Sequence, residues 1–424
     1  MTSRTGASVV AEALAGGRFV WLTGIEDTFI TARHPRTGRG LDEYELTEHY
    51  ARWRSDLGLA AELGVGAIRY GIPWHRVNPS RGRWDFSFAD ATLDYLLERE
   101  IEPIVDLVHY GVPPWIEGAF LHADYPRYVA EYAARVAERF QGRIRAFTPL
   151  NEPRITAWYA GKLGWWPPFQ RGWSGFFRVL VGVARGIVAT ERALRACDPN
   201  VVSLHVDAAD LYTPATPDLE AEAARRQLVG FLALDLVSGR VDEHHPLFSW
   251  LVQQGVKPAE LEALRDRPLE LRALGINLYP LFSGKILKRS GGRLRALMPY
   301  AGPEVLERLC ELYYARYRVP IVISETASEG SVARRSAWLS ASIAAVARVR
   351  ARGVPVVGYT WWPLFALVAW AYRQGGKAPG HYLKQMGLWD LIPNASGALE
   401  RVPTPLVASY RALAAGAAPV VQGV

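Results

Sequence analysis

Eight short apolar runs, each leading into a stretch of helical periodicity, constrain this chain more than any other feature. They span Arg18–Gly24, Ala67–Ile72, Pro103–His109, Ala146–Asn151, Val201–Val206, Ala273–Tyr279, Pro320–Glu325 and Pro355–Trp361. Between or after them lie helical patterns such as Leu46–Leu63, Phe88–Glu100, Tyr125–Phe140, Trp173–Ala196, Pro303–Tyr317, Ser331–Arg352 and Pro405–Leu413. Continuous apolar strands alternating with amphipathic helices are the pattern of parallel strands covered on both faces. Eight such units predict an α/β fold, a closed (β/α)8 barrel. No repeat, low-complexity tract or Pro/Gly/Ser linker divides the 424 residues, so residues 1–424 read as one barrel domain, with an insertion at about 207–272 between strands five and six that reads as helical excursions.

Composition matters here mainly for what it excludes. Hydrophobic residues make up 50% and charged residues 21%, enough apolar material for a large core and too little charge for disorder. The formal charge of +7 could suggest a polyanion partner, but the arginines are scattered through alanine-rich helical stretches rather than gathered in a stripe, so no nucleic-acid partner is expected. Cys197 and Cys310 stand far apart without CxxC or ligand-like histidine spacing, which predicts neither disulfide nor zinc and favours a reducing, cytoplasmic setting. No signal peptide is expected, since Glu12 interrupts the weak apolar N-terminal stretch. The longest apolar stretch, Tyr359–Tyr372, is too short to span a bilayer, so no membrane association is expected.

In a (β/α)8 barrel the active face lies at the C-terminal strand ends, so polar residues that close apolar strands are the candidates. Arg69 lies in strand two, His109 closes strand three, and Asn151 with Glu152 follows strand four. Asn277 and Tyr279 lie in strand six, Glu325 closes strand seven, and Trp361 with Trp362 marks strand eight. Two glutamates facing each other across such a mouth can divide labour: one is kept protonated by burial, the other ionised by donors. That is the chemistry of glycoside hydrolysis, with retention at a carboxyl separation of about 5–5.5 Å and inversion at roughly 6.5–9.5 Å.

Seven ordered segments then carry a family resemblance. TPLNEP (Thr148–Pro153) resembles the TFNEP segment of glycoside hydrolase family 1, and VISETASEG (Val322–Gly330) resembles its ITENG segment. Phe19-Val20-Trp21 resembles the first strand, RYGIPWHRVNP (Arg69–Pro79) resembles RFSISWSRIFP, and HYGVPPW (His109–Trp115) resembles HFDLPQW. GINLYP (Gly275–Pro280) and GYTWWPL (Gly358–Leu364) resemble GINYYT and GYFVWSL. The resemblance implies a retaining β-glycosidase with Glu152 as acid/base and Glu325 as nucleophile. It further implies that Asn151 bonds the sugar 2-hydroxyl, that Arg69 and Tyr279 orient Glu325, that His109 binds a ring hydroxyl, and that Asn277, Trp362 and Trp370 line the sugar site. No cofactor and no metal are implied, and the partner is a small glycoside or oligosaccharide.

Two departures bear on the sugar. The family's YQIEG loop is replaced by TGIEDTF (Thr23–Phe29), with Glu26 and Asp27, and its NFEW by LVAWAY (Leu367–Tyr372), where Ala369 stands at the glutamate and Trp370 keeps the tryptophan. A lost hydroxyl grip predicts a deoxy or otherwise modified glycone, or one contacted at its C6 end by Glu26. Trp165-Trp166 in GWWPPF is expected to stack on sugar, His244-His245 is expected in a solvated loop, and Leu281–Tyr300 reads as a basic loop on the catalytic face, solvated or in contact with an anionic substrate. A transglycosylase and a non-catalytic sugar-binding barrel are the alternatives.

Overall fold

A computed structural model describes residues 8–16 and 18–416. Eight parallel strands close into a barrel: β1 Val20–Gly24, β2 Ala67–Gly71, β3 Glu102–Asp106, β4 Ala146–Thr148, β5 Val202–Ala208, β6 Ala273–Asn277, β7 Ile321–Thr326 and β8 Val356–Trp361. Each strand pairs with its neighbours in sequence order, and β1 closes the ring against both β2 and β8, with Gly24 opposite Arg69 and Thr23 opposite Trp361. The eight expected strands are all present, though β3, β4 and β6 end earlier than expected. Polar residues beyond Asp106, Thr148 and Asn277 leave the ladder and turn their side chains to the mouth.

Inside the barrel, Val20, Leu22, Ala67, Ile104, Ala146, Leu204 and Val322 form a small apolar cluster, onto which the helix Val9–Leu14 packs Val10 and Ala13. Outside, the helices form the main core. The helix Gly172–Cys197 has the length and apolarity to cross a membrane, but most of its side chains are buried against the protein, as in a core helix. The segment between β5 and β6 holds a strand, Leu211–Pro214, and the helices Glu220–Val237, Phe248–Gln253 and Pro258–Arg265.

Two expectations need correction. Residues 281–300 are not an open loop: Gly284–Ser290 and Arg293–Leu297 form an antiparallel hairpin, which also pairs in parallel with Leu211–Pro214. Two of its basic side chains are already matched, Lys285 by Asp210 at 2.7 Å and Arg289 by Asp218 at 3.5 Å. His244 is solvated, but His245 is buried, with Nε2 3.4 Å from Asp235 Oδ2 and Nδ1 accepting from Leu247 N.

Candidate active site

Backbone placement comes first. At the end of β4, Asn151 N donates to Val108 O (2.9 Å) and Glu152 N donates to Val206 O (3.1 Å), so the neighbouring strands fix both residues. Glu152 adopts φ 48°, a left-handed backbone, and its side chain makes no capping bond to the short helix Pro153–Ala157 that follows. The carboxyl turns into the barrel mouth instead. Glu325 on β7 lies in register with Asn277 on β6. Two glycines clear the floor: a Cβ at Gly24 would lie 2.0 Å from the Trp362 ring, and one at Gly71 would lie 2.3 Å from Asp27 Oδ2.

The two glutamates meet different donors. Glu325 accepts from Arg69 Nη1 at 2.7 Å and from Tyr279 Oη at 2.7 Å. Glu152 accepts from Asn277 Nδ2 at 2.8 Å and from the Tyr110 hydroxyl, both neutral. Burial, reinforced by the negative charge of Glu325, pushes Glu152 up to about 8, so it holds its proton at neutral pH. Burial also raises Glu325, but the Arg69 guanidinium opposes the rise and the phenol of Tyr279 favours the charged form. The arrangement therefore sets a carboxyl that holds its proton beside one paired with a guanidinium.

A hydrogen-bonded floor joins them. Asn151 Oδ1 accepts from Arg69 Nη2 (3.0 Å) and from Asn277 Nδ2 (3.2 Å), while Ser324 Oγ donates to Asn277 Oδ1 (2.7 Å). With its carbonyl so committed, Asn151 turns its amide to His109 Nε2 at 2.9 Å, and His109 Nδ1 faces Asp27 Oδ1 at 2.6 Å. Both His109 nitrogens thus have protein partners. Burial lifts the Asp27 carboxyl to about 7, with His109 opposing the rise. Arg69 also bonds Asp106, and its guanidinium lies 4.7 Å from the Trp362 ring centre. Asp27, Asp106 and His109 bring ligand atoms within 4.8 Å of one another, yet the Arg69 guanidinium already supplies the positive charge beside Asp106.

Trp362 is buried, lies parallel to His109 at 5.8 Å, and donates Nε1 to Glu26 Oε2 at 3.0 Å. Trp370 packs on Tyr110, Tyr159 and Trp166 at 5.1–5.3 Å. Trp166, expected to stack on sugar, is instead 1% exposed and stacked on Tyr159, whereas Trp165 is 44% exposed. One tryptophan of the pair anchors the loop and the other faces solvent. Above them, the buried Arg373 donates to Trp165 O and to Ala32 O (2.8 Å), and its carbonyl accepts from Thr37 Oγ1 (2.6 Å). One arginine thereby clasps three loops over the mouth.

Beyond the candidates read from the sequence, the constellation includes Tyr110, Asp106 and Ser324, with the buried Glu43 accepting from Val368 N at 3.0 Å nearby. Tyr110 adjoins His109 in HYGVPPW and Asp106 closes the apolar run of β3, so both carried a signal of position. Ser324 and Glu43 carried none.

A family model described as glycosyl hydrolase family 1 matches residues 21–244, more than half of the chain. The chain belongs to glycosyl hydrolase family 1. The match includes Glu152, whereas Glu325 lies beyond it. Among family 1 relatives, a bifunctional beta-D-glucosidase/beta-D-fucosidase of Bifidobacterium breve is 34% identical over 164 residues, 36% of this chain and 35% of that protein. Beta-glucosidase A of Thermotoga maritima is 29% identical over 154 residues, 35% of this chain and 34% of that protein. The chain thus spans about a third of the length of these relatives. A longer alignment, at 26% identity over 369 residues, joins 76% of this chain to 77% of a beta-glucosidase of an Agrobacterium species. In three dimensions, a Thermotoga maritima beta-glucosidase in complex with deoxynojirimycin superposes with a TM-score of 0.80 at 20% identity, covering 94% of this chain and 98% of that one, which shows the shared barrel fold.

Proposed function

We propose that the protein is an exo-acting, retaining β-glycosidase that cleaves an O-glycosidic bond through a covalent glycosyl-enzyme intermediate. The observation that carries this reading is the unlike surroundings of two carboxyls at one barrel mouth. Glu152 has neutral donors and is pushed to about 8, and Glu325 is held by a guanidinium and a phenol. In the first step an oxygen of Glu325 attacks the anomeric carbon; the bond to the aglycone oxygen breaks, and that oxygen leaves with its electron pair and takes the proton of Glu152. In the second, Glu152 takes a proton from water as the water oxygen attacks the anomeric carbon, and the ester bond to Glu325 breaks.

Asn151 retains one amide hydrogen for the substrate, so its contact with a 2-hydroxyl fits a bond that strengthens as oxocarbenium charge develops. Trp370 packs on Tyr110, the partner of Glu152, and the Arg373 clasp ties the adjoining loops together, an arrangement that supports action at a chain end. The glycone departs from plain glucose at the end away from the anomeric carbon, where Ala369 replaces a glutamate and Glu26 forms the wall.

The test is covalent trapping. A 2-deoxy-2-fluoro β-glycoside with a good leaving group should add one fluoroglycosyl mass, located on the Glu325 peptide by mass spectrometry. Sugar binding without such an adduct, and without turnover of any aryl β-glycoside, would overturn the reading in favour of a binding barrel.

A further inference from the structure

The charge balance of the sugar pocket goes further than the catalytic pair. Six carboxyl side chains, Glu26, Asp27, Glu43, Asp106, Glu152 and Glu325, gather around two groups able to carry positive charge, Arg69 and His109. Those two are fully engaged. Arg69 pairs with Asp106 and Glu325, and His109 pairs with Asp27 and Asp106. Glu152 is served by Tyr110 and Asn277.

Glu26 and Glu43 are left without a cation among the described residues. Glu26 lies two residues beyond β1 at the catalytic end, buried but for 6% of its surface, and among the described residues its side-chain partners are neutral donors, the Thr28 hydroxyl at 2.5 Å and Trp362 Nε1 at 3.0 Å. It lies close enough to the nucleophile for its charge to push the Glu325 carboxyl upward. Glu43 is completely buried. One of its oxygens accepts from Val368 N at 3.0 Å, and the other, Oε1, is sealed from solvent with no hydrogen-bond partner. Of the charged groups acting on Glu43, Glu26 acts most strongly, and together with burial it holds Glu43 well above the usual carboxyl range. Val368 immediately precedes Ala369, so the Glu43 carboxyl sits beside the segment that walls the glycone.

A buried carboxylate without a counter-charge is costly, and a neutral hydroxyl gives it one hydrogen bond while leaving the charge in place. An ammonium group supplies three donors and a positive charge together. Each Glu26 oxygen has one bond already and room for another, and Glu43 Oε1 has none. We propose that the natural glycone is an aminodeoxy sugar whose ammonium group, on C3, C4 or C6, lies against Glu26 with Glu43 behind it. This inference rests on the β-glycosidase reading and names the substrate class of the same site. In the bound complex the ammonium compensates Glu26, and Glu43 positions Glu26 from behind.

The experiment compares kcat/KM for p-nitrophenyl β-D-glucoside with its 3-amino-3-deoxy, 4-amino-4-deoxy and 6-amino-6-deoxy counterparts, below the amine pKa, alongside the neutral 6-deoxy analogue. At least one amino substrate should exceed the neutral glucoside roughly tenfold or more. Glu26→Gln should collapse that ratio toward one, and Glu43→Gln should lower it less. Cleavage of the neutral glucoside at a rate equal to or above all three amino substrates overturns the amino-sugar assignment and leaves the glycosidase intact. An unchanged ratio in Glu26→Gln overturns it equally. Should no β-glycoside be cleaved and no adduct form on Glu325, the glycosidase reading itself fails and takes this inference with it. Because the wild-type ratio is decisive alone, a variant that does not fold leaves the test standing.

Discussion

Arg69 reaches Glu325 with Nη1 at 2.7 Å while its other amino group is shared between Asp106 and Asn151, so one guanidinium both sets a positive charge against Glu325 and fixes the floor beneath it. Arg69→Lys keeps a charge but cannot hold three partners in that fork. Turnover should fall by about 10²-fold or more. Arg69 favours ionised Glu325, so weakening its hold raises that carboxyl and moves the acid limb of the kcat/KM profile to higher pH. A fall in rate with an unmoved acid limb would separate Arg69 from the titration of Glu325.

Glu325→Ala should lower turnover by roughly 10⁴-fold, an increase of ~5 kcal/mol in the barrier. Azide in the vacated space should then give the α-glycosyl azide. Glu152→Ala should be rescued to the β-glycosyl azide on substrates with good leaving groups, because the nucleophile is intact and only deglycosylation lacks its base. Product NMR distinguishes the two, and identical anomers from both variants would reverse the roles.

Tyr110 supplies a second pH test. Its hydroxyl donates to Glu152 and lowers the proton affinity of that carboxyl. Tyr110→Phe removes the donor, so Glu152 should titrate above its value of about 8 and the alkaline limb of kcat/KM should shift upward. No shift, or a downward one, would contradict the assignment of Glu152 as the acid.

Glu152 also links pH to stability. It is protonated in the folded chain to about pH 8 but titrates in the unfolded chain at the ordinary glutamate value of 4.5, so the folded state binds the extra proton between these values. Its contribution is full below the unfolded pKa and is lost as pH rises through the window to about 8. Glu152→Gln, neutral throughout, should gain thermal stability relative to the wild type as pH is raised from 5 to 8. Parallel melting curves for the two proteins would refute this linkage.

Arg373→Met should remove the clasp over the mouth. Two carbonyls, of Trp165 and Ala32, lose their donor in a buried site, a cost of about 1–3 kcal/mol in stability. Because the clasp touches loops rather than the reacting atoms, KM should rise more than kcat falls. A dominant loss of kcat would place Arg373 nearer the chemistry.

The barrel was legible because parallel strands buried on both faces are written as continuous apolar runs, and because Arg69, Asn151, Glu152, Tyr279 and Glu325 interrupt or follow those runs at one end. The hairpin at 284–297 was not legible, since only Gly284 and Leu287 of its first strand are buried and the Lys- and Arg-rich remainder is partly or fully exposed, too little to impose alternation. Trp166 looked like its neighbour Trp165 in sequence, and only the stacking of Tyr159 decides which ring is inside. Glu43 lies in DEYEL, which reads as the acidic start of a helix, and the donor it meets in the core, Val368 N, is more than three hundred residues away.

The charge of Glu325 is one of the forces that keep the proton on Glu152. Under the proposed mechanism a sugar esterified to Glu325 removes that charge, while burial and the donors from Tyr110 and Asn277 remain. The proton affinity of Glu152 must then fall at the moment it has given its proton to the leaving group. In that mechanism the bond that stores the sugar would convert the same side chain from an acid into a base, so that each half-reaction prepares the charge state the next one needs.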